Sequence, residues 1–551
     1  MAISHIEPFQ KVFGPPRQEI PGDPASYFIN PIGIQSIILS AAELTSATVL
    51  TSNTLLDLSA NIRLQPSKAS KSSITFPVVQ GMGFVSAVYS NLQPSIQSSV
   101  FFRSVVTMPS PKPGTFKYRI TLEDGKIWLL YVMPNGGIDP NLQLISSTQL
   151  RGLPNFSGLI QVAKNPAADD SVWDETVGVY PTGASLRGCV RDDQRASYGY
   201  TWRKGGPHAG NTTLLMFALP HHVQSFNATT RARLRSLRLS TTTKGIATGV
   251  VADSWTMEEV DLPTDMGFNP WQPATGNVSM LSETAVRAIQ DVSAVEVSQD
   301  MQAQTNLDSM YFSGKGLSKF ATIVYTMHEL SDQKGLAVAG LAKLKDAFAR
   351  FAENRQRFPL FYDTEWRGVV SSASYLTGDP GRDFGNSYYN DHHFHYGYFI
   401  HAAAIIGYFD SSWLEKNRDY VNMLVRDTSN PSSQDTYFPV WRAFDWYHGH
   451  SWAKGLFESA DGKDQESTSE DAMFAYALKM WGKTSGDASM EARGNLMLAI
   501  LKRSLRSYFL LEDSNAIQPA NFIGNKVTGI LFENKIDHTT YFGANLEYIQ
   551  G

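Results

Sequence analysis

The sequence holds a single cysteine, Cys189, in 551 residues. No intramolecular disulfide and no cysteine-built zinc site can form from it. It has no run of 18 or more apolar residues, so nothing reads as a membrane span. It lacks a basic excess. Lys and Arg number 47 against 52 Asp and Glu, a net charge of -5. That balance argues against a nucleic-acid-binding surface. No tandem repeat and no low-complexity tract is visible. The first residues, to Pro24, carry Pro15, Pro16, Pro21 and Pro24 but no apolar stretch, and do not read as a secretory leader. What is present is 42% hydrophobic and 18% charged. Such a composition excludes a disordered chain. At roughly 100–200 residues per domain, the length corresponds to three to five domain-equivalents. Four sequons, at Asn155, Asn211, Asn227 and Asn277, lend slight support to secretion.

The first half reads as β-structure. In Thr115–Leu122, Phe116, Tyr118, Ile120 and Leu122 alternate with Lys117, Arg119 and Thr121. That period of two predicts a half-buried strand. Glu123-Asp124-Gly125 supplies a turn, and 126–133 a return strand. Similar runs occupy Ser73–Val79, Val85–Tyr89 and Ser99–Thr107. Many short strands at such spacing predict a sandwich. The prolines and glycines of 262–276 mark a boundary. Beyond it, Leu317, Phe320, Ala321, Val324 and Met327 recur at helical spacing. So do Leu341, Leu344, Phe348 and Phe351, and later Met473, Tyr476, Ala477 and Met480. These stripes are core, not cofactor sites.

Chemistry-bearing residues are unevenly spread. Six of the twelve histidines lie between His392 and His450. The 69 residues Phe384–Trp452 hold 18 aromatics, about 26% against 12% overall. Flat rings beside polar groups suit the C–H faces of sugars, and equally an aromatic helical core. If the segment after Asn390 is helical, Asp391, His395 and Tyr398 share one face. A carboxyl beside an imidazole and a phenol suits a general acid. It also suits an Asp at a helix start with a satisfied core histidine. His392, His393 and His395 with Asp391 raise a metal site, weakened because adjacent histidines diverge on a helix. Ser467-x-x-Glu470 reads as a capping box, which leaves Glu466 unexplained. Gly81-Met82-Gly83-Phe84-Val85-Ser86 and Gly449-His450-Ser451-Trp452-Ala453 fall short of the dinucleotide and nucleophile-elbow motifs.

Tyr389-Asn390-Asp391-His392-His393-Phe394-His395-Tyr396-Gly397-Tyr398 resembles the signature of glycoside hydrolase family 81, the endo-β-1,3-glucanases. Gln465-Glu466-Ser467-Thr468-Ser469-Glu470 and His538-Thr539-Thr540-Tyr541-Phe542-Gly543 resemble two further signatures. Ile6, Gly14-Pro15-Pro16 and the stretch from Gln80 to Val85 are similar too, so the likeness covers essentially the whole chain. It implies a multidomain β plus α fold: a β-sandwich over 1–255, a small α/β connector over 256–310 and a C-terminal (α/α)6 toroid over 311–551. Family chains begin further upstream and continue past the position matching Gly551, so the toroid is expected to lack its last helices.

The resemblance also implies hydrolysis of internal β-1,3-glucosidic bonds with inversion. Asp391 matches the general acid and Glu466 the general base, with Glu470 assisting on the water side. His395, Tyr388, Asp445, His450, Tyr541 and Glu547 are expected to contact substrate. No metal and no cofactor is implied. The expected partner is β-1,3-glucan, with no nucleic acid and no membrane, and the chain is expected to be a monomer. Extracellular or cell-wall localisation follows family habit. The competing expectation is a β-1,3-glucan-binding protein without catalysis.

Overall fold

The computed structural model describes residues 3–6, 18–19, 22–29, 34–541, 543 and 545, apart from 168, 193, 273 and 279. Two antiparallel sheets come first. One orders Ile3–Ile6, Gln35–Ala41, Pro94–Gln97, Gln149–Arg151 and Gln143–Ser146. The other has eight strands, with Phe156–Asn165 and Val85–Leu92 at its centre. Ile37, Leu39, Ile96 and Leu150 meet Ile74, Phe76, Tyr89, Ile120, Leu130 and Ile160 between them. This is a sandwich core, with side chains alternating inward along each strand.

The sequence hairpin forms as Phe116–Leu122 against Ile127–Pro134, with Ile120 opposite Trp128. The first strand is not half-exposed as its alternation predicts. Lys117 is buried and reaches Asp170 and Asp174, each at 2.8 Å. The return strand shows why. Trp128, Leu130 and Val132 enter the sandwich core, whereas Leu129, Tyr131 and Met133 pack on Trp173, Phe217, Leu237 and Val251. A third layer, the sheet Leu215–Ala218, Ile246–Val251 and Leu234–Ser240, covers the outer face. An unbroken apolar run is the sign of a strand buried on both faces.

A further sheet, Tyr180–Val190, Ala196–Gly205 and Ser254–Glu259, shares one continuous core with the helices that follow. Glu259 and Arg503 seal that contact with a bidentate pair, closest at 2.7 Å. The Pro/Gly-rich stretch after Leu262 is clamped. Tyr476 donates to the Gly267 carbonyl and Tyr325 to Asn269, both at 2.8 Å. Buried Lys479 donates to the Pro263 and Met266 carbonyls.

Three helical hairpins follow: Met310–Tyr325 with Lys334–Ala352, His392–Phe409 with Ser411–Ser429, and Thr468–Ser485 with Ala488–Tyr508. The first helices of the three stand side by side. This arrangement is compatible with part of an (α/α)6 toroid. The middle one, His392–Phe409, is buried on nearly every face, as its all-round apolar sequence requires. A last sheet interleaves distant segments: Gln18–Glu19, Tyr27–Ile29, Lys535–Asp537, Ile530–Phe532 and Asp464–Gln465. Its edge strand leads directly into Glu466.

Candidate active site

The turn before the His392–Phe409 helix is built from residues that L-side chains disfavour. Asp383, Phe384, Gly385, Tyr389 and Asp391 all have φ between 50° and 81°. Left-handed backbone at non-glycine residues persists only where surroundings over-determine it. Here they do. Asp383 takes the Met310 N–H at 2.8 Å and the Ser309 hydroxyl at 2.5 Å, anchoring the turn to the Met310–Tyr325 helix. Asn390 donates to the Phe384 carbonyl at 3.2 Å and accepts the Gly455 N–H at 2.9 Å. The Asp391 N–H donates to the Ala453 carbonyl at 2.8 Å.

Asp391 occupies the N-cap position, but its side chain makes no cap hydrogen bond. The left-handed backbone turns the carboxyl away from the helix end and into a cleft of about 410 Å³. Tyr311, Phe312, Lys315, Phe384, Phe394, His395, Tyr398, Glu466, Ser467, Ser469 and Glu470 line the same cleft. Asp391, His395 and Tyr398 therefore do share one functional face.

Glu466 enters from the other side. The strand Asp464–Gln465 pairs with Ile530–Phe532, and the Thr468–Ser485 helix begins at once behind it. Ser467 caps that helix, its Oγ accepting the Glu470 N–H at 3.3 Å. Buried Asp471 fixes the approach. It accepts the Ser451 N–H at 2.9 Å, the Ser451 hydroxyl at 2.6 Å and the Gln465 amide at 3.0 Å. Glu466 lies just outside the helix and is spared from capping. Glu470 is held differently, accepting Tyr398 OH at 2.6 Å and Tyr311 OH at 2.8 Å.

The electrostatics separate these carboxyls. Burial pushes Asp391 well above the ordinary carboxylate range, and the charges of Glu466, Asp464 and Glu470 push it further, against Lys454. Glu466 is raised to about 7, chiefly by burial, then by Asp464 and Glu470. Among the described residues, neither side chain has a hydrogen bond that would hold it ionised. A carboxyl kept protonated beside one poised near neutrality can serve as an acid and base pair.

The remaining expected residues distribute unevenly. His395 lines the cleft, wholly buried, its ring 5.2 Å from that of Tyr311. Burial lowers its pKa, with the opposing pull of Asp383 too small to reverse it. Tyr541 is not in the lining; its phenol donates to Asp464, with Lys454 3.5 Å away. Tyr388 lies outside the lining, its ring 6.2 Å from Phe457. Asp445 and His450 do not line this cleft either. Asp445 binds His448 at 2.7 Å and the Trp452 indole at 3.0 Å. His450 is buried against Trp452 and Phe509. They sit opposite each other in the two-residue pairing of Phe444–Asp445 with His450–Ser451. Glu547 falls outside the described residues.

The three histidines of the motif diverge: His392 binds Asp427, His393 packs on Phe394 and Phe474, and His395 faces the cleft. Sequence reasoning missed Tyr311, Phe312, Lys315 and Lys454. The only signal for the first three was their place off the apolar stripe of a helix. Lys454 carried none.

Gly455 gives one expected result. A Cβ there would sit 2.1 Å from the Tyr388 carbonyl oxygen and 2.6 Å from the Tyr389 carbonyl carbon. Backbone cannot yield as a side chain can, so Gly455→Ala must displace the turn that aims Asp391. Misplacing a catalytic group by about 1 Å costs on the order of 10²-fold in rate. Glucan-hydrolysis kinetics of a folded G455A sample check this; full activity would show that the turn tolerates displacement.

Paired carboxyls facing one aromatic-walled cleft, carried on a sandwich-plus-helices scaffold, define the class of glycoside-cleaving proteins. The chain belongs to glycoside hydrolase family 81. The family's N-terminal domain matches residues 1–273 and its C-terminal domain residues 280–551. A glucan endo-1,3-beta-D-glucosidase of Arthroderma benhamiae is 58% identical over all of this chain and 60% of its own length. The primary septum glucan endo-1,3-beta-D-glucosidase of Schizosaccharomyces pombe is 42% identical over 96% of this chain and 51% of its own. The chain thus spans about half to three fifths of these relatives. A solved family 81 structure from Clostridium thermocellum superposes with a TM-score of 0.72 at 19% identity, covering 94% of this chain and 70% of that one. That likeness concerns the fold.

Proposed function

We propose that the chain hydrolyses internal β-1,3-glucosidic bonds of β-glucans by an inverting mechanism. Asp391 protonates the departing oxygen, Glu466 draws a proton from the attacking water, and Glu470 helps hold that water. The observation that carries this reading is the pair of Asp391 and Glu466 in one cleft, both raised in pKa, with neither carboxyl hydrogen-bonded among the described residues. Tyr311, Phe384, Phe394 and Tyr398 supply apolar faces for sugar rings. His395, buried and neutral, packs beside the acid; Tyr541 and Tyr388 serve more distant sugars. The names of the fungal relatives support β-1,3-glucan as substrate and the wall or cell exterior as the place of action. Residues 1–255, 256–310 and 311–551 act as sandwich, connector and catalytic units.

The test is reducing-end release from a linear β-1,3-glucan, followed by proton NMR of the first product. Water attacking opposite the leaving oxygen gives the α-anomer first. A β-anomer first would replace the base with a nucleophile. Glucan binding without any release would favour the non-catalytic reading.

A further inference from the structure

The glycosidase reading uses Asp391, Glu466 and Glu470 but leaves a second buried acidic centre unexplained. Asp427, on the Ser411–Ser429 helix, is wholly buried, as is His392 one residue after Asp391. His392 Nδ1 lies 2.6 Å from Asp427 Oδ2, and its Nε2 lies 2.8 Å from the Asn386 carbonyl oxygen. A carbonyl only accepts, so Nε2 carries a proton. Nδ1 faces a carboxylate that also accepts the Val369 N–H at 2.9 Å and has Arg442 Nε at 3.8 Å. Those neighbours favour ionised Asp427. Burial would raise Asp427, but the charge of His392, then its hydrogen bond, Arg442 and Val369 hold it below the ordinary range.

The pair sits at the root of the left-handed turn. The Asn386 carbonyl that binds His392 also accepts the Tyr389 N–H at 2.9 Å. Asn386 Oδ1 accepts the Ser371 N–H at 2.7 Å. Tyr389 lies under the Arg442 guanidinium, 4.2 Å from its ring, and bonds Asp363 at 2.8 Å. Every link joins the turn to neighbouring elements, and none reaches the cleft. A buried ion pair contributes little net stability, but losing one partner leaves a charge stranded.

We propose that His392 is a positioning residue: held between the Asp427 carboxylate and the Asn386 carbonyl, it locks the 383–391 turn and so aims the Asp391 carboxyl. The role rests on the reading of Asp391 as the acid.

Two experiments decide it. In wild type selectively labelled with 15N-histidine, His392 should show both ring nitrogens hydrogen-bonded, Nε2 as the donor to the Asn386 carbonyl and Nδ1 to Asp427. Ring signals that lack either bond overturn the proposal whatever the activity. In parallel, His392→Gln keeps a donor for Asn386 and removes the bond to Asp427, and Asp427→Asn keeps shape and removes the carboxylate. Each should lower kcat on the order of 10²-fold with KM within about threefold. Each should also move the alkaline limb of kcat against pH downward, because a released Asp391 gains water. Folded variants with unchanged kcat and limb overturn the proposal. If neither variant folds, the ring signals decide. Wild type that hydrolyses no β-1,3-glucan refutes the acid reading and the positioning role with it, a result distinct from unbonded ring signals in an active enzyme.

Discussion

Asp391→Asn should release reducing ends from a linear β-1,3-glucan on the order of 10²–10⁴-fold more slowly than the parent chain, the range a positioned general acid supplies. Asparagine fills the same volume and leaves the Ala453 and His395 backbone contacts untouched. The same substitution should raise stability at neutral and alkaline pH. The folded pKa of Asp391 lies well above its ordinary value, mainly through burial. A carboxyl so shifted supports the fold while protonated, below its unfolded pKa of about 3.9. That support is lost as pH rises through the folded value. Asparagine does not titrate, so the melting-temperature gap between variant and parent should widen in the variant's favour from pH 5 to pH 9. An inactive but no more stable variant would mean that Asp391 is not under electrostatic pressure. An active one would remove it as the acid.

Glu466→Gln should be nearly as damaging, with a loss on the order of 10²–10³-fold. The two carboxyls titrate as a pair, and kcat/KM against pH should be bell-shaped with limbs belonging to both. The acid limb reflects Glu466, raised to about 7. The glutamine variant should lose that limb. Its alkaline limb should also move down, because Glu466 is the strongest of the charges that push Asp391 up. Glu470→Gln discriminates the two glutamates. Tyr311 and Tyr398 already hold Glu470 in place, which suits orientation of water more than abstraction of its proton. Its loss should be smaller, and its acid limb should persist. A larger loss at Glu470 would exchange the two roles.

Much of this site was legible before any coordinates. Asp391, His395 and Tyr398 fall on one face because the helical period is fixed by geometry. Glu466 stood out because the capping rule accounted for Ser467 and Glu470 and left it over. The missing parts were written in long-range contacts. Tyr311 and Lys315 look like ordinary polar positions on an amphipathic helix. They reach the cleft only because that helix packs on His392–Phe409. Asp445 and His450 sit in an aromatic, polar stretch that reads like a sugar-binding wall. They lie outside the lining of the cleft, paired in a two-residue ladder that no local pattern signals. The alternation at Thr115–Leu122 promised a wet face for Lys117. Ion pairs with Asp170 and Asp174 allow it to be dry. Only the unbroken apolar run of the neighbouring strand hinted at the covering layer.

The sheet that delivers Glu466 also sets a timetable. Its strand Tyr27–Ile29 pairs with Lys535–Asp537, and nearby Asn525 donates to Ala25 across 500 residues of chain. At about 5–20 residues per second, a ribosome takes about 25–100 s to supply the second partner. The sandwich can close early, since its strands are near neighbours in sequence. The strand before Glu466 must wait for Ile530–Phe532 to emerge. A nascent chain therefore carries Asp391 long before Glu466 is seated.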